Sequence, residues 1–243
     1  MMLNSKKTIL KSALLGVTLL FLTSCQFNGI KGSGNVTTEN RTVTGSFNSI
    51  KAERGLDVVL EQSTETSITV IADDNLHSHI KTTVNNGVLK ITADVNNFIN
   101  VDSKKIVVKM PNIESIQVSS GASFSAKKTI KSNTIALKTS SGASLNIVIE
   151  SEKATSESSS GSTMRISGKA ISHETAASSG SNINAEKLLS NDIIASASSG
   201  SVIHVYPLVS LNAVASSGGN ISYHNVPKNL NKKSSSGGSI NKG

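Results

Sequence analysis

The sequence predicts an all-β protein in which a parallel β-helix, or solenoid, of Ser-Ser-Gly coils of about 19 residues follows a β segment that contains a hairpin. Three observations lead to this fold class. A Ser-Ser-Gly triplet recurs along the chain, apolar and polar residues alternate after each triplet, and only 16% of residues are charged and 3% aromatic. Ser, Thr, Asn and Gly take their place, and this composition favours strands and turns over helices.

The triplet has seven copies at a nearly constant period, because successive triplet glycines are 21, 19, 19, 20, 18 and 19 residues apart. These glycines are Gly121, Gly142, Gly161, Gly180, Gly200, Gly218 and Gly237. A repeat of this length buries its apolar residues only by stacking on its neighbours, which is typical of a solenoid.

The residues after each triplet alternate in polarity. The third residue after each glycine is apolar, as is the fifth in most copies, whereas the second and fourth are mostly polar. This period of two predicts a half-buried strand with one polar side. Stacking would align the polar side chains into a candidate binding face, for which an ordinary solvated surface is the alternative interpretation. The face consists of Ser123, Ser125, Ser144, Asn146, Thr163, Arg165, Asn182, Asn184, His204, Asn220 and Ser222.

Each triplet also predicts a turn, with its glycine at a positive φ. The serine before the glycine is expected to stack from coil to coil, and an inward orientation would give a buried ladder of hydroxyl hydrogen bonds. These serines are Ser120, Ser141, Ser160, Ser179, Ser199, Ser217 and Ser236. A serine repeated in every coil predicts a structural role, since a catalytic serine would be singular.

Residues 43–115 are predicted as an N-terminal β region, and residues 116–243 as the solenoid proper. The spacing of Ile50, Gly55 and Val58 matches that of the apolar residues around the first triplet, which indicates a degenerate first coil. Two strand-like runs flank Asn86-Gly87, a pair typical of a two-residue hairpin turn.

Residues 1–24 have the features of an export signal, with a basic start and an apolar stretch too short to span a membrane comfortably. The segment Leu22-Thr23-Ser24-Cys25 resembles the lipobox of bacterial lipoproteins, which implies acylation of Cys25, the only cysteine. Two or three acyl chains anchor a protein firmly to a membrane. An uncleaved anchor and an ordinary cleaved signal are the alternatives.

Residues 25–42 are then expected to be a lipidated tether. By the same resemblance, Gln26 in place of Asp implies the outer membrane. The absence of an acidic run after Cys25 favours its periplasmic face over the cell surface.

The mature chain resembles the head GIN domain family of auto-transporter-adhesin-like proteins from Bacteroidetes. The resemblance covers nearly the whole mature chain and implies a parallel β-helical fold, a lipoprotein and, by the family name, adhesion; it implies no catalytic residues. It rests on the Ser-Gly coils and on Gly32-Ser33-Gly34-Asn35-Val36, Arg41, Gly45-Ser46-Phe47-Asn48-Ser49-Ile50, Leu56-Asp57-Val58, Asp74-Asn75-Leu76, Ile80 and Met110-Pro111-Asn112-Ile113.

Candidate chemistry is sparse. Glycan-cleaving enzymes need paired carboxyl groups, but no two acids of the repeat share an offset from the nearest triplet glycine. These acids are Glu150, Glu152, Glu157, Glu174, Glu186 and Asp192. Nucleic-acid binding would require a basic stripe with stacking aromatics, which is missing.

No metal or cofactor site is predicted. His77 and His79 would share one face of a strand near Asp73 and Asp74, but no third ligand is marked and a solvated turn is the simpler interpretation. His173, His204 and His224 are expected to be isolated.

The sequence therefore favours a non-enzymatic envelope lipoprotein that binds a polysaccharide or an envelope protein, with its lipid in the membrane and no nucleic-acid partner. A glycan-active enzyme and an envelope-signalling accessory are the alternatives. The last coil is expected to end in an open strand edge, through which the protein could associate with itself.

Overall fold

The computed structural model describes residues 29–243, so the export signal, Cys25 and Gln26 lie outside the described residues. A short 3-10 helix, Asp74–Leu76, accompanies the strands. The strands are β1 Gly29–Lys31, β2 Val36–Arg41, β3 Ser49–Ala52, β4 Asp57–Gln62, β5 Ser67–Asp73, β6 Ile80–Asn85, β7 Val88–Ala93, β8 Asn97–Ile99, β9 Lys104–Met110, β10 Ser115–Val118, β11 Ser123–Ala126, β12 Ile130–Thr139, β13 Ser144–Ser158, β14 Thr163–Ala177, β15 Asn182–Ala197, β16 Val202–Ala215, β17 Asn220–Tyr223, β18 Asn229–Ser234 and β19 Ser239–Lys242.

Parallel pairing stacks the coils in register. Strands β13 to β16 each span most of a coil and pair with their neighbours along much of their length. Leu145 lies opposite Met164, which lies opposite Ile183, so the third residue after each triplet glycine forms one buried row. The inward-facing side chains of all coils join a single hydrophobic core. The predicted solenoid is confirmed.

Each triplet forms a tight turn with two consecutive residues in the left-handed region. In the third copy, Ser160 has a φ of 52° and Gly161 a φ of 69°. The N–H of Ser162 donates to the carbonyl of Ser159 at 3.2 Å and closes the turn. Two positive φ values in succession define a type I′ turn. The predicted positive φ of the glycine is confirmed.

The same turn joins neighbouring coils. The N–H of Gly161 donates to the carbonyl of Ser179 in the next coil at 3.1 Å, and equivalent bonds link the other triplets. The ladder extends to the degenerate coil, where the N–H of Gly55 donates to the carbonyl of Ser120 at 2.9 Å.

The second triplet serines do not take the inward orientation that would have given a buried hydroxyl ladder. Ser160 and its counterparts lie exposed at the corners, because a corner directs its side chains away from the enclosed core. The buried hydroxyls occupy other positions. Thr139, Ser158 and Ser162 form a closed triangle with oxygen–oxygen distances of 2.9, 2.8 and 3.0 Å. Each of these hydroxyls therefore has a partner inside the core, as buried polar groups require.

The degenerate first coil is confirmed. Strands β3 and β4 pair in parallel with β10 and β11, and Ile50 lies opposite Ile116. On the side away from β10 and β11, this coil pairs in parallel with β7 and β9. These two strands come later in the sequence but lie nearer the N-terminal end of the stack.

Antiparallel strands close the N-terminal end of the stack. Strand β9 pairs with β5, and β5 pairs with β2. Strand β6 pairs with β7 through the predicted hairpin, in which Asn86 and Gly87 have φ values of 49° and 75°. These antiparallel pairings end the parallel solenoid and cover the strand edge at its N-terminal end.

The described part of the expected tether forms strands. Strand β1 pairs with β8, and β2 pairs with β5. Nearby, the buried carboxylate of Asp73 accepts the N–H groups of Gly34 at 3.0 Å and Ser103 at 2.9 Å. Burial raises the pKa of Asp73, but the backbone donors outweigh it and hold this pKa below its usual range. Residues 29–41 thus pack onto the N-terminal end of the stack, because their backbone groups form hydrogen bonds with β8, β5 and Asp73.

Strands β18 and β19 lie at the C-terminal end of the stack of described coils. Strand β18 pairs with β16 and β19 pairs with β17, and no further described strand covers them. All residues of β18 are exposed. Among residues 29–243, no helix has the length and apolar character needed to cross a membrane.

One histidine occupies a position in the core that is otherwise apolar. His173 lies between Ala154 and Ile193 in the coil register and is 1% exposed. Its Nε2 lies 2.9 Å from the Ser156 Oγ, whereas its Nδ1 has no hydrogen-bond partner within residues 29–243. Burial lowers the pKa of His173 from its usual 6.5 to about 4.

We expect this histidine to make stability depend on pH. Between pH 6.5 and about 4 the folded protein keeps His173 neutral while the unfolded chain binds a proton, so the free energy of unfolding falls as pH falls. Burial of His173 does not reduce the free energy of unfolding above pH 6.5, where the imidazole is neutral in both states. By pH 4 this free energy has fallen by roughly 3 kcal/mol. Urea unfolding across this range should show the decline in the wild type and a smaller one in His173→Leu. Ser156→Ala, which leaves the imidazole buried, should keep the full decline; equal slopes for wild type and His173→Leu would contradict this assignment.

Candidate functional site

The polar residues after the triplets lie in two parallel columns, which we call the polar face. All of them are at least partly exposed. The first column contains Ser123, Ser144, Thr163, Asn182 and Asn220, and the second contains Ser125, Asn146, Arg165, Asn184, His204 and Ser222. Val202 interrupts the first column. Because adjacent strands are about 4.8 Å apart, the face presents hydrogen-bonding groups at that repeat.

A shallow pocket of about 250 Å³ lies in the middle of the polar face. Asn146, Arg165 and Asn184 come from three successive coils and line it together with Glu186 and Lys187. The structure therefore brings the guanidinium and two amides of the predicted face together around one concavity. Glu186 and Lys187 were not predicted as site residues.

The centre and the ends of the polar face differ in their hydrogen bonding. Ser123 Oγ donates to Asp57 at 2.5 Å, and Asn220 Nδ2 donates to Ser239 Oγ at 2.8 Å. The side chains of Asn146 and Arg165, by contrast, make no hydrogen bond or ion pair with any described residue. A guanidinium in this state can bind carboxylate, phosphate or hydroxyl groups through its fork of N–H donors.

The expectation that His204 and His224 are isolated is wrong. The Nδ1 of His204 lies 3.3 Å from the Nε2 of His224, and a carboxylate oxygen of Glu186 lies 3.8 Å from that same Nε2. One ligand atom from each residue lies within 4.8 Å of the other two. Burial lowers the pKa of His204, and His224 adds to this effect while Glu186 opposes it. We call these three residues the histidine cluster.

A sequence signal for the cluster existed. Glu186 and His224 both lie six residues after their triplet glycines, and His204 lies four residues after its own. The shared offset joins an acid to a histidine, so neither the acids alone nor the histidines alone show it.

His77 and His79 do not share a ligand site. They follow the 3-10 helix, so the strand-like arrangement considered from the sequence is not formed. His77 Nε2 lies 2.9 Å from Thr37 Oγ1, and His79 Nδ1 lies 2.7 Å from Asp94 Oδ1.

A second concavity, which we call the mid-strand groove, has a volume of about 680 Å³ and lies near the middle of the long strands. Its apolar side chains include Ile171, Leu189 and Leu208, which are 55%, 40% and 41% exposed. Lys131 and Lys169 also line it. The groove was not predicted, because its apolar residues come from positions outside the regular alternation.

The acids of strands β12 to β16 are not paired with one another in the coil register, although Glu150 and Glu152 both line the mid-strand groove. In the register of β12 to β16, Glu150 lies opposite Lys131 and Lys169, and Glu157 lies opposite Lys138. Among the described pairings of these strands, no acid lies opposite another acid.

Residues 46–227, most of the chain, match the family model described as "Putative auto-transporter adhesin, head GIN domain". The protein belongs to this family. The match includes the degenerate first coil, the antiparallel pairs of β5 with β9 and of β6 with β7, and all the residues of the polar face, but not β2. A search of curated proteins gives no match for this head GIN protein.

Solved structures from Bacteroidetes share the fold. A "putative adhesin" from Bacteroides fragilis aligns with a TM-score of 0.81 at 20% identity, covering 88% of this chain and all of its own. A "putative lipid binding protein" from Parabacteroides distasonis aligns with a TM-score of 0.72 at 20% identity, covering 89% of this chain and all of its own. A "putative adhesin" from Parabacteroides merdae aligns with a TM-score of 0.70 at 18% identity, covering 88% of this chain and 99% of its own. At these identities the likeness concerns the fold.

Proposed function

We propose that this head GIN protein is a non-enzymatic cell-envelope adhesin or scaffold that binds a polysaccharide or another envelope polymer through the polar face. The observation that carries the proposal is the central pocket, where Asn146 and Arg165 are exposed and have no partner among the described residues. A rigid array with a repeat of about 4.8 Å suits a polymer that offers many weak contacts at once. The family description supports adhesion.

A glycan-active enzyme and an envelope-signalling accessory remain the alternatives. The separation of acids in the coil register supports binding over glycan cleavage, since such cleavage uses a pair of carboxyl groups flanking one bond. The open edge of β18 and β19 supports a second copy of the chain as a further partner.

We expect the combined change of Asn146, Arg165 and Asn184 to Ala to weaken polymer binding by at least about tenfold, because each side chain offers hydrogen bonds at the pocket. The measurement is sedimentation of purified protein with isolated peptidoglycan, lipopolysaccharide and capsular polysaccharide, in parallel with thermal unfolding to confirm an unchanged fold.

The matched control changes Lys138, Asn212 and Asn231 to Ala. It removes one cation and two amides from exposed positions outside the polar face. Equal binding by wild type and the pocket variant, or equal losses in both variants, would contradict a role for the pocket.

We further propose that Cys25 is acylated and holds the protein at the outer membrane, on its periplasmic face. The support is the lipobox-like segment ending at Cys25 and the following Gln26, both in the sequence. Two or three acyl chains would attach the protein stably without a membrane-spanning helix.

Cys25→Ser should abolish incorporation of an alkyne-labelled fatty acid in growing cells and move the protein from the outer-membrane fraction to the soluble fraction, because the hydroxyl replaces the thiol that is acylated. Labelling followed by fractionation measures both effects. Ser24→Ala, which keeps a small residue before the cysteine, serves as the control and should still be labelled. Membrane retention of unlabelled Cys25→Ser would contradict lipid anchoring.

A second candidate function is the binding of an acyl chain in the mid-strand groove. Exposed apolar residues line a volume of about 680 Å³, which offers contact area to an acyl chain. The charged side chains at the groove are of both signs, Lys131 and Lys169 together with Glu150 and Glu152. The naming of the Parabacteroides distasonis neighbour as a lipid-binding protein agrees with this use of the fold.

The pair of changes Ile171→Ser and Leu208→Ser should weaken binding of a fluorescent fatty acid by about tenfold or more, because it removes apolar contact area. Ile194→Ser with Val214→Ser is the control, since both residues are exposed apolar side chains that do not line the groove. The measurement is fluorescence titration. Equal affinities for the two double variants would argue against the groove as the binding site.

A further inference from the structure

The histidine cluster gathers three potential metal ligands from three successive coils. His204 lies opposite Asn184 in the previous coil and Ser222 in the following one. Glu186 and His224 each lie two residues beyond these partners, so they approach His204 from the coils on either side. The stacking of the solenoid thus converges side chains that are far apart in the sequence.

A bulge positions Glu186. In the pairing of β15 with β16, Ala185 lies opposite Val205 but Leu189 lies opposite Tyr206, so residues 186–188 have no partners in β16. The N–H of Glu186 instead donates to Asn184 Oδ1 at 3.2 Å. Bulges of this kind redirect a side chain from the regular sheet surface.

The N–H of His224 donates to the carbonyl of Val205 at 2.9 Å and continues the ladder beyond β17. This backbone hydrogen bond therefore holds His224 next to the coil that carries His204.

The atoms of the cluster converge on one point rather than forming separate pairs. The His224 Nε2 faces both His204 Nδ1 at 3.3 Å and a Glu186 oxygen at 3.8 Å. A single ring nitrogen has one proton or one lone pair, so it cannot satisfy both neighbours through hydrogen bonds. A shared cation would satisfy all three groups at once.

The distances fit a tetrahedral metal ion. Metal–nitrogen bonds of about 2.0–2.1 Å at a tetrahedral angle place two nitrogens roughly 3.3 Å apart, and the two imidazole nitrogens are 3.3 Å apart. The carboxylate oxygen at 3.8 Å needs only a small side-chain rotation to bind, and all three residues are partly exposed, which leaves a fourth position open to solvent.

We propose that Glu186, His204 and His224 form a binding site for a divalent transition-metal ion, with Zn²⁺ as the best fit. Two imidazoles and one carboxylate are a ligand set that zinc accepts with water in the fourth position. Glu186 also lines the pocket of the polar face, so a bound ion would add positive charge at the margin of that pocket. The metal site does not depend on the proposed adhesive function.

The test is isothermal titration of the full chain, purified without a polyhistidine tag, with ZnCl2. One ion per chain should bind to the wild type, and His204→Gln and His224→Gln should each abolish measurable binding. Glu186→Gln should weaken binding by about tenfold or more, since an amide is the poorer ligand. His79→Gln is the matched control, because it removes a histidine that is paired with a carboxylate but has no third potential ligand within residues 29–243. Its titration should equal that of the wild type.

Two further readings distinguish coordination from adventitious binding. The Co²⁺-loaded wild type should show the visible absorption of a four- or five-coordinate ion, and this absorption should be missing in His204→Gln. Saturating Zn²⁺ should raise the melting temperature of the wild type and of His79→Gln but leave His224→Gln unchanged. The proposal is overturned if the wild type fails to bind Zn²⁺, or if His204→Gln and His224→Gln bind it as the wild type does.

Discussion

Hydrogen bonding between successive coils is the interaction on which the rest of this structure depends. Each coil exposes an apolar row that only its neighbours can cover, and the parallel ladder sets those neighbours about 4.8 Å away. The bonds from the first six triplet glycines to serine carbonyls of the next coils extend this ladder through the corners. One spacing therefore governs the packing of the core, the repeat of the polar face and the approach of ligands in the histidine cluster.

The Ser-Ser-Gly turn meets this constraint with two residues at positive φ. Such a turn reverses the chain in two residues and directs their side chains to solvent, so the corner serines contribute no buried hydroxyls. The interior beside the turn is filled by small residues and by hydroxyls that bond to one another, as Thr139, Ser158 and Ser162 do. Small polar residues therefore serve both the exposed corners and the buried positions beside them.

The two ends of the solenoid and its sides differ in structure. Antiparallel strands cover the N-terminal end, whereas β18 and β19 leave an edge at the C-terminal end. The sides carry the polar face, the mid-strand groove and the histidine cluster, each built from side chains of adjacent coils. Binding sites on a solenoid arise in this way because equivalent positions of successive repeats become spatial neighbours.

The sequence by itself determined the solenoid, the degenerate coil at Ile50, the hairpin at Asn86-Gly87 and the alignment of the polar face, because each follows from a local period or an offset. Only the tertiary structure decided the spatial order of the N-terminal strands, the orientation of the corner serines, the groove and the contact of His204 with His224. These features depend on bulges, such as the one in β15, and on whether a strand later in the chain pairs with the N-terminal or the C-terminal side of a coil. Such choices are made by packing and hydrogen bonding between distant segments, and no periodicity along the chain records them.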